Sequence, residues 1–142
     1  MKRVAYFGHS RLLFNTRRER EIRDYLEDTW NLKVICPARD INVYVPRKTS
    51  SIYANHLKLC DILVIVEHEE CIGYGVFTEV KHAMELNMPV LLLRSHGSSF
   101  YLTIVTEVYI YNMFDYVISY GKVRIKEGGL ANDARIKELL RG

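Results

Sequence analysis

Ile62-Leu63-Val64-Ile65-Val66 is an unbroken apolar, β-branched run, and it is followed closely by Gly73-Tyr74-Gly75-Val76-Phe77-Thr78-Glu79. The first stretch has the character of a strand buried on both faces, as parallel strands are. The second reads as a glycine-containing turn running into the first turn of a helix. Strand, glycine turn and helix start form the place where an open α/β sheet presents its ligand site. A carboxylate at Glu79 is therefore either a chemical group of that site or a charge stabilised by a helix N-terminus.

Three further runs match the first: Val4-Ala5-Tyr6-Phe7, Leu32-Lys33-Val34-Ile35-Cys36 and Val90-Leu91-Leu92-Leu93. Helical patterns separate them, and that alternation predicts parallel strands with crossover helices. Thr16-Arg17-Arg18-Glu19 is a capping box, so a helix starts there with Ile22, Tyr25, Leu26 and Thr29 facing inward. A second helix is expected over about 52–59. A third is expected from about Val76 to Leu86, stopped by Asn87-Met88-Pro89 because proline cannot continue it. Ser95-His96-Gly97-Ser98-Ser99 reads as a loop. Phe100 to Met113 suits helix or strand by apolarity, and helix is expected because another crossover is due. Residues 115–120 read as a fifth strand, and Asp133 as the cap of a last helix burying Ile136, Leu139 and Leu140. The expected fold is thus α/β: one three-layer domain over residues 1–142, with a five-stranded parallel sheet of flavodoxin-like or Rossmann-like type.

Composition narrows the function classes. The chain has 142 residues, 49% apolar and 26% charged, which is ordinary for a soluble globular protein. A net charge of +3 is too mild to point to nucleic acid. Cys36, Cys60 and Cys71 are odd in number and widely spaced, which suits reduced cytoplasmic thiols better than a disulfide frame. The most apolar stretch is broken by Glu107, Asn112 and Asp115, so no membrane span is expected. His68-Glu69-Glu70-Cys71 offers metal-ligand types without a partner pair at zinc-like spacing, so neither a metal nor a cofactor is expected. Five of the ten tyrosines, Tyr101, Tyr109, Tyr111, Tyr116 and Tyr120, lie in the C-terminal third, where they suit a subunit interface, a wall that stacks a base, or ordinary packing. A homo-oligomer is the expectation.

The order Tyr6-Phe7-Gly8, Asp61-Ile62-Leu63, Gly75-Val76-Phe77-Thr78-Glu79, Ala83 and Met88-Pro89-Val90 carries a resemblance. Over residues 3 to 94 the chain resembles the nucleoside 2-deoxyribosyltransferase family, within a wider group of small Rossmann-like enzymes that cleave N-glycosidic bonds. Gly-x-Gly-x-x-x-Glu is also similar to the phosphoribohydrolases, which release bases from nucleoside monophosphates. The resemblance implies a nucleoside or nucleotide substrate and a role for Glu79 as the nucleophile that attacks the anomeric carbon. It also implies Tyr6, Gly8, Gly73 and Gly75 lining the pocket. Val76 stands where the family has threonine. Tyr53 stands where it has the aspartate that manages the proton on the base, with Asn55 and His56 as the nearest polar substitutes. Gly73 stands at the family's further acidic position, with Glu69 and Glu70 nearby. The turn Gly8-His9-Ser10-Arg11, backed by Arg17 and Arg18, would suit a phosphate, and a solvated basic face is the plainer alternative. A non-catalytic nucleotide-binding or sensing domain is the rival to the enzyme.

Overall fold

The computed structural model describes residues 2–8, 13, 15–36, 55–67, 71–113, 120–127 and 133–141. In chain order the elements are β1 (Val4–Gly8), α1 (Arg17–Asp28), β2 (Lys33–Ile35), β3 (Ile62–Val66), β4 (Cys71–Gly73), α2 (Tyr74–Glu85), β5 (Val90–His96), β6 (Ser99–Met113), β7 (Tyr120–Glu127) and α3 (Asp133–Arg141). The strands lie in the order β2-β1-β3-β5-β6-β7-β4.

The four runs singled out by their apolarity do form a parallel set. β1 lies between β2 and β3, and β3 between β1 and β5, all running the same way. The sheet as a whole is mixed, which corrects the expectation of five parallel strands. β6 runs antiparallel to β5, and β7 and β4 continue the antiparallel pattern. The helix expected over Phe100 to Met113 is instead the fifteen-residue strand β6. Its sequence is dense in Thr, Ile and Val, which stiffen χ1, and in Tyr, which with them packs well on a pleated surface, and this outweighs the demand for a crossover. The expected loop at Ser95–Ser99 is a tight hairpin in which His96 pairs with Ser99. Gly97 occupies its first central position with φ of 63°, a conformation a side chain would strain. The fifth strand expected at 115–120 meets the structure only at Tyr120, where β7 begins; 114–119 lie outside the described residues.

Local signals elsewhere hold. Thr16 is the N-cap of α1, and its hydroxyl accepts from the Glu19 amide at 3.2 Å. The Thr16 amide donates to the Leu13 carbonyl. α2 ends with Asn87 at φ of 56°, and the Met88 amide closes on the Ala83 carbonyl at 2.9 Å, a Schellman-type stop just before Pro89. Of the helix expected over 52–59, 55–57 are helical and 52–54 lie outside the described residues.

The core falls into two clusters. One joins Phe7, Val64, Leu91 and Leu93 to Ile22 and Leu26 of α1 and to Ile136 and Leu140 of α3. The other joins Tyr6, Leu63, Ile65 and Leu92 to Val76, Val80 and Ala83 of α2. Alternate strand residues supply the two clusters, as a pleated sheet requires. No helix among the described residues is long and apolar enough to cross a membrane.

Candidate functional site

Gly8 ends β1 and pairs in register with Ile65 of β3, which in turn pairs with Leu92 of β5. The site therefore lies at the carboxyl ends of the three central parallel strands, where open α/β sheets place ligands. Tyr6 and Gly8 are two residues apart on one strand and so point to the same face, the one covered by α2.

Glu79 comes down onto that face from α2. A Cβ placed on Gly8 would lie 2.7 Å from its Oε2, with Leu63 and Ile65 next at 3.3 and 3.7 Å. The glycine thus makes room for the carboxyl group. Glu79 is the sixth residue of α2, which begins at Tyr74, and no acidic residue occupies the first turn. This corrects two expectations. Gly75 belongs to the helix and Gly73 to β4 rather than to a turn before the helix. The carboxyl is also too deep in the helix to be an anion held by its N-terminal dipole, which acts within the first turn.

Its electrostatics agree. Glu79 is half-buried as a residue, yet its Oε2 is buried without a hydrogen-bond partner among the described residues. Burial pushes the carboxyl pKa up to about 8, and the nearby Tyr6 hydroxyl pulls the other way. At neutral pH the group is mostly a protonated acid. A buried carboxyl oxygen without a partner among the described residues, seated where only a glycine leaves it room, is an unusual arrangement, since such atoms normally find partners.

Two charged side chains missed in the sequence lie at the carboxyl ends of β3 and β5. Glu67 follows β3 in phase with Leu63 and Ile65, and Arg94 of β5 approaches it at 3.8 Å. Both are on the α2 side by strand alternation. The signal was available: Glu67 is the first polar residue after the apolar run, two positions on from Ile65.

Arg17 and Arg18, expected to back a phosphate, have other partners. Arg17 pairs with Glu21 at 2.9 Å. Arg18 donates to the Ser95 hydroxyl at 2.8 Å and lies 5.1 Å over the Phe100 ring, on the α1 side of the sheet. Ser10, Arg11, Tyr53 and Glu70 lie outside the described residues, as do His68 and Glu69. Asp61 has a structural role: its Oδ2 accepts from the Val4 amide at 2.8 Å, fastening the start of β1. Cys36 and Cys60 are buried and unbridged. Burial, helped by the nearby Asp61 charge, pushes the Cys60 thiol up to about 11, which keeps it protonated and unreactive. No cluster of metal-ligating side chains occurs among the described residues.

Neither protein-family models nor curated proteins match this chain.

Proposed function

We propose that the chain cleaves the N-glycosidic bond of a nucleoside or nucleoside monophosphate, or transfers its deoxyribosyl group, with Glu79 as the nucleophile in a three-layer, Rossmann-like domain. The single observation that carries this reading is the Glu79 carboxyl itself: its Oε2 is buried with no partner among the described residues, and it is seated over Gly8 at the carboxyl ends of the strands. The resemblance to the nucleoside 2-deoxyribosyltransferases supports it.

In this reading the ionised carboxylate attacks the anomeric carbon. The C–N bond breaks, and its electron pair leaves with the base, which takes up a proton. The resulting glycosyl ester on Glu79 is then opened by water or by an acceptor base, returning the free carboxylate. In this reading the nearby Tyr6 hydroxyl, which already lowers the carboxyl pKa, steadies the anion. Because attack needs the anion, activity increases with pH until the group is ionised, near pH 8.

The protonated state at neutral pH favours one other reading, a non-catalytic nucleotide-binding domain in which the carboxyl donates a hydrogen bond to its ligand. Incubation with a panel of nucleosides and nucleoside monophosphates separates the two. Release of free base that disappears in Glu79→Gln supports the enzyme, and saturable binding without release supports the binding domain.

A further inference from the structure

A cavity of about 310 Å³ opens at the other end of the sheet, lined by Lys2, Arg3, Thr29, Trp30, Lys137 and Leu140 among others. Lys2 and Arg3 lead into β1, Thr29 and Trp30 follow α1, and Lys137 and Leu140 belong to α3. It therefore sits at the amino ends of β1 and β2, away from Glu79. Its size is at the lower end of the range for small-molecule sites, roughly 300–1,000 Å³.

The charge around it is one-sided. Three of the lining side chains are cationic, and among the described residues that line it none is acidic. Part of this positive charge is used locally. Arg3 approaches Asp61 at 3.7 Å. The carboxyl ends of α1 and α3 each contribute about half a negative charge. Those three contributions cancel Arg3 and about one lysine, leaving an excess of roughly one positive charge shared by Lys2 and Lys137. Both lysines are exposed and able to move toward a ligand. The Trp30 indole supplies a flat apolar wall, and its Nε1 donates to the Tyr25 hydroxyl at 2.8 Å, which fixes the ring.

We infer that this cavity binds a small phosphomonoester with a flat ring, its phosphate held by Lys2 and Lys137 and its ring against Trp30. A phosphate carries close to two negative charges at neutral pH and takes lysine readily as a point-charge partner. The cavity does not depend on Glu79 and would act as a second, remote site.

Trp30 is the only tryptophan in the chain, so its fluorescence reports this cavity alone. The test titrates a nucleoside monophosphate into the full chain at constant ionic strength, exciting the indole where nucleobases do not absorb. A saturable change in emission is expected. It weakens by about tenfold or more in Lys137→Glu and in Lys2→Glu, the loss of one charge-assisted contact. It persists in Glu79→Gln, and the parent nucleoside, lacking phosphate, does not produce it. No saturable change, an equal response from the nucleoside, or full retention in both lysine variants with unchanged circular dichroism would overturn the inference.

Discussion

The Glu79 side chain sits in an environment unlike that of an ordinary helix-surface glutamate. The folded Glu79 carboxyl titrates near 8, above the value of an unfolded glutamate. Between those limits the folded protein keeps a proton that the unfolded chain has released, so stability declines with increasing pH. The contribution is complete below the unfolded value and is lost as pH passes through about 8. Urea midpoints measured from about pH 5 to about pH 9 should show this decline in the native chain and lack that component in Glu79→Gln. Gly8→Ala probes the same contact sterically. Its new methyl would meet Oε2 at 2.7 Å, and a cost of about 1–3 kcal/mol in urea unfolding is expected. Removing the obstacle in the Gly8→Ala, Glu79→Ala double variant should recover part of that loss, giving a non-additive cycle.

At the scale of elements, local chemistry explains where helices begin and end. Thr16→Ala removes the acceptor of the Glu19 amide and should lower stability by about 1 kcal/mol, read as a shifted thermal midpoint. The parallel strands were legible because each is a short apolar run bounded by polar residues. The helix stops were legible because Asn87 and Pro89 act through backbone conformation alone. β6 departs from the expected helix because apolarity does not distinguish strand from buried helix, and its β-branched and aromatic content outweighs the demand for a crossover. The Gly97-Ser98 pair between β5 and β6 already carried the hairpin signal. The position of Glu79 was legible, but its depth was not. A helix start two residues earlier than expected decides if a carboxylate meets the dipole or the core, and sequence patterns fix such boundaries poorly. The Glu67–Arg94 pair went unseen because it joins neighbouring strands across a register that sequence alone does not supply.

At the scale of the whole molecule, the two candidate sites lie at opposite ends of the parallel strands, with the Glu79 carboxyl at one and the lysine-rimmed cavity at the other. The proposal that tyrosines of the C-terminal third form a subunit interface predicts a mass above the 16.6 kDa chain in light scattering. The most direct test of the central claim is intact-mass analysis after acid quench of a reaction at a pH above that of Glu79 ionisation. The account predicts a glycosyl adduct on the peptide containing Glu79, base release lowered by on the order of a thousandfold or more in Glu79→Gln, and no adduct in that variant. Base release that continues undiminished in Glu79→Gln, without any adduct on the native chain, would contradict it.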